Sequence, residues 1–371
     1  MTPPLAAKRG RVLHILRALD FGGVESQMRI VAAHASLSEW THSFCAIGPG
    51  GAVLEDLRGL GAEARALGCP TKIPSPKAIL ALALFLRRNR PDMVQLYGAE
   101  AIFHGIIAAR LARVPVVICE EIGIPRHSAK ARRVFARLYR HADRIVAISE
   151  AVKRAIVDMG EARPEVIEVV YNPFEPQPFR PYPPLAGRVE LGFAGRLEAV
   201  KNPMAAVEAA ALLRDRGLDF RLRLVGDGSQ RRALADRIAD LNLSDRVILE
   251  GFHPHPFALL EGCHLYLQPS ITEGFGLAIC EAMSAGIPVI ATAAGGTPEV
   301  IDHGRTGWLL PVPDAAHLAD AVERAIALGP AELAEVGRMG STSVRERFSP
   351  ETFMRRSDAL FDSLLRDRGR E

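Results

Sequence analysis

Along the whole chain, apolar runs of strand length alternate with stretches whose apolar residues recur every three or four positions. The short runs, bounded by Gly, Pro or Asn, read as buried strands, and the three-four spacing reads as helices packed by one face. Strands are expected over 12–16, 43–47, 63–66, 93–96, 116–119, 144–148 and 166–171. Helices fall near 24–35, 52–59, 77–88, 101–112, 129–141 and 150–159, the last with Ser149 as its cap. The rhythm then restarts, with strands over 190–194, 221–225, 247–250, 265–268, 289–291 and 308–310. Helices are expected near 203–216, 230–241, 256–262, 277–285, 298–302, 315–328 and 331–347. Such alternation predicts an α/β chain of βαβ units with parallel sheets.

The break between the two runs holds Pro173, Pro176, Pro178, Pro181, Pro183 and Pro184. Proline supplies no ladder donor and cannot continue a helix, so this stretch reads as a stiff linker. The expected domains are 1–172 and 188–347, joined by 173–187, with a closing segment over 348–371. That segment is amphipathic, with Phe353, Ala359, Leu360 and Leu364 as its apolar side.

Composition narrows the function classes. A length of 371 residues suits two domains, and 48% apolar residues are ample for packed cores. A net charge of only +3 argues against a dedicated nucleic-acid binder. Five scattered cysteines without C-x-x-C suggest a reducing compartment, and neither a disulfide framework nor a zinc site. Residues 1–10 carry no long apolar run, so no signal peptide is expected. The longest apolar candidate, 78–86, is broken by Arg87-Arg88-Asn89-Arg90, short of the roughly 18 residues of a membrane span. A cytoplasmic protein is expected.

The chemistry concentrates after the strand over 265–268. Gly274 and Gly276 permit a tight turn and close backbone approach, and the helix beginning near Gly276 offers free N–H groups suited to phosphate. Glu273 lies in the turn. Glu281 lies in a helix whose neighbours Leu277, Ala278, Ile279, Cys280, Ala282 and Met283 are all apolar. A carboxylate in such surroundings is costly without donors, and sugar hydroxyls would supply them. The plainer alternative is that Glu273 complements the helix dipole and Glu281 reaches solvent. Two acids bracketing a phosphate-ready helix start point instead to a ligand with hydroxyls at both ends and phosphate between. Gly195-Arg196 and Lys201 bring two cations to the mouth of another strand, which suits a diphosphate.

Glu273-Gly-Phe-Gly-Leu-Ala-Ile-Cys-Glu281, followed by Gly286-Ile-Pro-Val, resembles the E-x7-E motif of retaining glycosyltransferases of family four, which have the GT-B fold. The resemblance implies two Rossmann-like domains with parallel sheets facing across a cleft. The nucleotide-diphosphate sugar, most commonly uridine-linked, would bind the second domain and a saccharide or lipid-linked acceptor the first. Glu273 would hold the donor sugar and Glu281 the ribose. The amides of Gly274, Phe275, Gly276 and Leu277 would meet the diphosphate. Arg196 and Lys201 would neutralise the leaving group in place of a metal, and no cofactor is expected. Gly226-Asp-Gly228 resembles a family turn that is mostly structural, and Gly251-Phe252-His253 one near the nucleobase. Gly295 and Gly296 would lie near Glu273. Gly22-Gly23-Val-Glu25 matches a loop that closes over the diphosphate. The closing segment would cross back onto the first domain.

The family's usual histidine after the fourth strand is replaced here by Tyr97, with His104 seven residues on. Tyr97 could touch a sugar, His104 could substitute for that histidine or simply be packed, and Glu121 of the Glu120-Glu121 pair could touch an acceptor. Lys130, Arg133, Arg137, Arg140 and Arg144 recur at three and four, giving a basic face suited to anionic lipid or a pyrophosphate-linked acceptor, or simply a solvated one. Without interleaved aromatics it does not suit nucleic acid. Two alternatives share the donor machinery: a nucleotide-sugar epimerase or hydrolase, and a non-catalytic nucleotide-sugar-binding subunit.

Overall fold

The computed structural model describes residues 8–20, 22–185, 187–311 and 314–368. The chain divides into two compact units, Met1–Phe174 with Pro350–Glu371, and Glu175–Ser349. In the first, the strands are β1 (Arg11–Leu16), β2 (Thr41–Ala46), β3 (Glu63–Ala66), β4 (Met93–Tyr97), β5 (Val116–Glu121), β6 (Arg144–Ala147) and β7 (Ile167–Val169). Between them run α1 (Gly23–Ala33), α2 (Ala52–Gly59), α3 (Pro76–Asn89), α4 (Gly98–Ala112), α5 (Ala129–Leu138) and α6 (Glu150–Asp158). Among the described residues these strands form one seven-stranded sheet, in the order β3-β2-β1-β4-β5-β6-β7, with every pairing parallel. Parallel strands are covered on both faces, which is why they read as apolar runs. Ser75, Ser128 and Ser149 cap α3, α5 and α6, each accepting a backbone N–H three residues on.

The second unit repeats the architecture. Its strands are β8 (Val189–Ala194), β9 (Phe220–Val225), β10 (Val247–Gly251), β11 (Leu265–Gln268), β12 (Val289–Thr292) and β13 (Trp308–Leu310). Its helices are α7 (Pro203–Asp215), α8 (Arg231–Asp240), α9 (Pro256–Leu259), α10 (Leu277–Ser284), α11 (Thr297–Val300), α12 (Ala315–Ala327) and α13 (Pro330–Phe348). The described strands form a parallel sheet in the order β10-β9-β8-β11-β12-β13. Phe193, Leu222, Leu224, Leu265, Leu267 and Ile290 from four of its strands build the core with Leu318 and Val322 of α12. The proline-rich stretch is not a free spacer. The Gln177 N–H donates to Ser284 Oγ at 2.9 Å and the Arg180 N–H to the Ala285 carbonyl at 3.0 Å, while the Phe179 ring covers Gly286. Prolines suit a segment laid along a surface, where few of its own donors need partners.

The last helix, α14 (Pro350–Arg368), returns to the first unit. Phe353, Met354, Leu360, Phe361 and Leu364 join that unit's core, and Phe361 meets Trp40 edge-on. Ala359, read from sequence as part of the apolar side, is exposed, because the buried stripe follows 353, 357, 360, 361 and 364 around the helix.

Candidate functional site

In an open α/β sheet, ligands bind beyond the carboxyl ends of the strands where the strand order reverses. In the second unit that point lies between β8 and β11. Gly195 and Arg196 follow β8, and Ser270 to Gly276 follow β11, so the sheet brings both sequence-read clusters to one crevice.

Backbone contacts hold these loops. The Leu197 N–H donates to the Asp227 carbonyl and the Gln230 N–H to that of Leu197, each at 2.9 Å. A Cβ on Gly226, where φ is +146°, would lie 1.9 Å from the Gly195 carbonyl oxygen. The Gly226-Asp-Gly228 turn is therefore a clasp on the Arg196 loop. Arg196 is exposed beyond it, without a side-chain hydrogen bond or ion pair among the described residues. On the other side, the Gly296 N–H donates to the Glu273 carbonyl at 3.0 Å, and Gly295 lies so close that a Cβ there would come within 1.8 Å of the same oxygen. This brings Gly296 to Glu273, as the resemblance implied.

Lys201 and Glu273 are brought together directly. Lys201 ends a short 3-10 turn, and Asn202 then takes a left-handed conformation that turns the chain into α7. The Lys201 ammonium donates to Glu273 Oε2 at 2.5 Å, both groups mostly buried. The cation read as a phosphate partner thus neutralises the acid read as a sugar partner. Three polar side chains that sequence reading missed stand behind Glu273. Tyr266 Oη donates to Gln268 Oε1, Gln268 Nε2 to Ser270 Oγ, and Ser270 Oγ lies 3.4 Å from Glu273 Oε2. All three are buried. The available signal was their period of two, which puts them on one face of β11 and its extension.

Gly276, at φ +110°, precedes α10, whose first amides have no earlier carbonyls within the helix to bond. Ile279, Cys280, Ala282 and Met283 are buried. Leu277, Ala278 and Glu281 are half-buried and share the stripe leading back to the helix start. The Glu281 carboxylate has no hydrogen-bond partner among the described residues. Burial, with a smaller push from Glu175, raises its pKa to about 7.

In the first unit the order reverses between β1 and β4. Tyr97 ends β4 and is buried, its hydroxyl 2.8 Å from His14 Nδ1 on β1. Gly22 and Gly23 lie after β1, at the start of α1. Gly22 is extended, with the Glu25 carboxylate folded over it.

Of three first-unit readings, one resolves to its plainer alternative and two need correction. His104 is packed structure: its Nε2 accepts the Ser75 N–H at 3.1 Å and its Nδ1–H donates to the Glu100 carbonyl at 2.7 Å, so α4 clamps the start of α3. Glu121 is not presented to a ligand. It is buried, accepts a short hydrogen bond from the Tyr139 hydroxyl, and is pushed up to about 7 by burial. Its neighbour Glu120 takes the opposite face, accepting from Gln27 Nε2 at 3.1 Å and Gln95 Nε2 at 2.5 Å. The basic stripe is also shorter than read. Lys130, Arg133 and Arg137 are exposed on α5, but the helix ends at Leu138 so that the chain can enter β6. Arg140 lies exposed in a following 3-10 turn, and Arg144 opens β6, half-buried and donating to the Glu165 carbonyl.

Comparison with known proteins follows the same division. Residues 180–338 match the model for "Glycosyl transferases group 1", and residues 11–173 that for "Glycosyl transferase 4-like domain". WcaL of Escherichia coli K12, named provisionally as a colanic acid biosynthesis glycosyltransferase, is 32% identical over 243 residues, covering 62% of this chain. This chain spans only 59% of that relative. The 2-deoxystreptamine glucosyltransferase of Streptomyces kanamyceticus is 29% identical over 278 residues, covering 67% of this chain and 72% of that one. HepE (Alr3699) of Anabaena, solved in complex with UDP-glucose, superposes with a TM-score of 0.82 at 23% identity, covering 96% of this chain and 100% of that one. With a family match on each unit and a shared two-sheet architecture, the chain belongs to the glycosyltransferases of GT-B fold.

Proposed function

We propose that this protein is a retaining, metal-independent glycosyltransferase that moves a sugar from a UDP-sugar to a hydroxyl of a glycan, glycolipid or small molecule, on the cytoplasmic side. The observation that carries the reading is Glu281, a half-buried carboxylate without a hydrogen-bond partner among the described residues, one helix turn from the open amides of α10. Ribose hydroxyls answer it, the diphosphate takes the α10 amides with Arg196 and Lys201, and the sugar hydroxyls take Glu273. Binding then exchanges the Lys201–Glu273 pair for two ligand contacts, phosphate on the cation and hydroxyl donors on the acid. As the glycosidic bond breaks, Arg196 and Lys201 stabilise the charge growing on the leaving diphosphate, so the reading asks for no metal and no cofactor. Retention without an opposite-face nucleophile follows if the leaving phosphate takes the acceptor's proton on the same face. The relatives' names support polysaccharide or small-molecule acceptors, and HepE's ligand supports uridine.

The pH dependence tests Glu281. Burial raises its carboxyl to about 7, whereas ribose hydroxyls donate to the ionised form. Donor binding therefore releases a proton and tightens as pH rises. Between pH 8 and pH 6 the Kd for UDP-glucose, read by calorimetry, should rise about tenfold, one decade per pH unit below the pKa. Glu281→Gln should bind weakly with no such slope. An unchanged slope in the variant would remove Glu281 from the site.

Among the described residues no helix is long and apolar enough to cross a membrane. The exposed face of Lys130, Arg133 and Arg137, with Arg140 beyond it, supports docking on anionic membrane. Sedimentation with phosphatidylglycerol vesicles should fall steeply on charge reversal of Arg133, Arg137 and Arg140. Sedimentation indifferent to that reversal would exclude the docking face.

A further inference from the structure

A row of buried polar groups crosses one face of the first unit's sheet, beside the Gln95–Glu120 pair on the same face. Tyr97 Oη lies 2.8 Å from His14 Nδ1, and His14 Nε2 lies 2.9 Å from His42 Nδ1. His42 Nε2 lies 2.9 Å from Ser38 Oγ, and Ser38 Oγ lies 2.6 Å from Asp358 Oδ1 on α14. Tyr97, His14, His42 and Ser38 are all buried, and Phe44 and Phe361 close over the rings. Such a row is costly unless every member is satisfied, and its satisfaction fixes a direction.

The direction follows from Asp358. Its carboxylate only accepts: from the Glu39 N–H at 2.7 Å and from Ser38. Ser38 therefore donates its single hydrogen to Asp358. Its oxygen accepts the Trp40 N–H at 3.0 Å, and its remaining lone pair needs a donor, which is His42 Nε2–H. His42 Nδ1 then accepts from His14 Nε2–H, and His14 Nδ1 accepts from the Tyr97 hydroxyl. Both rings are neutral in this scheme. Burial lowers His14 strongly and brings His42 to about 4, with Lys8 adding to the latter. The charged groups at the surface end are Lys8, Arg9, Glu39 and Asp362.

We propose that His14, His42, Ser38 and Asp358 are positioning residues that lock the Tyr97 hydroxyl as a donor into the sheet. The phenol oxygen beneath the β1–β4 reversal point then has only a lone pair to offer, so whatever group is placed against it must donate, as a sugar hydroxyl can. The identity of that group rests on the function proposed above; the lock does not.

Nitrogen-15 NMR of the histidine rings in the full chain, without sugar, tests the lock. At pH 7 both rings should carry their hydrogen on Nε2. Ser38→Ala removes the acceptor of His42 Nε2–H, so His14, two links away, should move toward the Nδ1–H form, and Ser38→Thr should restore it. A wild-type ring protonated on Nδ1, or a His14 indifferent to Ser38→Ala, overturns the proposal, and the wild-type spectrum decides even if the variant misfolds. With UDP-glucose and water as acceptor, Ser38→Ala should lower kcat about tenfold, and this loss should vanish in the Tyr97→Phe background. A full loss there would show that Ser38 does not act through Tyr97. If no variant turns over UDP-glucose while the tautomers stand, the donor assignment fails and the lock does not.

Discussion

Lys201→Ala should lower kcat about a hundred- to a thousandfold, or ~3–4 kcal/mol of transition-state stabilisation, with a smaller change in KM. Two effects combine. The variant loses a cation aimed at a leaving group whose charge grows only as the bond breaks, so turnover suffers more than ground-state binding. It also strips Glu273, 9% exposed, of its 2.5 Å partner, leaving Ser270 Oγ at 3.4 Å as its remaining side-chain contact. An acid so placed is destabilising when its countercharge is removed, so a fall in Tm should accompany the loss. Steady-state kinetics on UDP-glucose with a matched melting curve separates the two. Full activity in Lys201→Ala would mean that the ion pair is only structural.

Gly295→Ala should be among the most damaging single methyl groups in the second unit. Its φ of +55° is left-handed, and the added Cβ would sit 1.8 Å from the Glu273 carbonyl oxygen. Neither partner is a flexible side-chain end, so the loop must move and take the Gly296-to-Glu273 hydrogen bond with it. The expected cost is about 3 kcal/mol, near the upper range for overpacking, together with loss of UDP-glucose binding. Gly304→Ala makes a useful control. It also has a positive φ, but no heavy atom lies within 4 Å of its added Cβ, so it should melt only slightly lower and keep binding. Equal losses in both would show that conformational strain, rather than approach to Glu273, is what the loop cannot tolerate.

What could be read from the sequence depended on how far apart the cooperating residues lie. The two parallel sheets were legible because strands buried on both faces leave apolar runs in the chain. The turn from Glu273 to Glu281 was legible because its chemistry is local: a glycine turn, a helix start and an acid one helical turn on. Pairing of Lys201 with Glu273 was not, since 72 residues separate them and only the packing of two loops joins them. The roles of Glu120 and Glu121 required knowing which face of β5 each takes. Arg144 was counted with the basic face although it opens β6, because a three-four spacing of cations does not register where a helix stops and a strand begins. The row from Tyr97 to Asp358 was invisible for the same reason as the ion pair, as it draws on β1, β2, β4 and the far end of the chain. Tyr97 was legible as a candidate contact, but nothing in the sequence joins it to His14, His42 or Ser38.

The most direct test of the donor site is a crystal structure of the protein with UDP-glucose. The site described here predicts Glu273 released from Lys201 and turned to the glucose hydroxyls, Lys201 and Arg196 on the diphosphate, and Glu281 on the ribose. A nucleotide lodged elsewhere, with the Lys201–Glu273 pair intact, would contradict it.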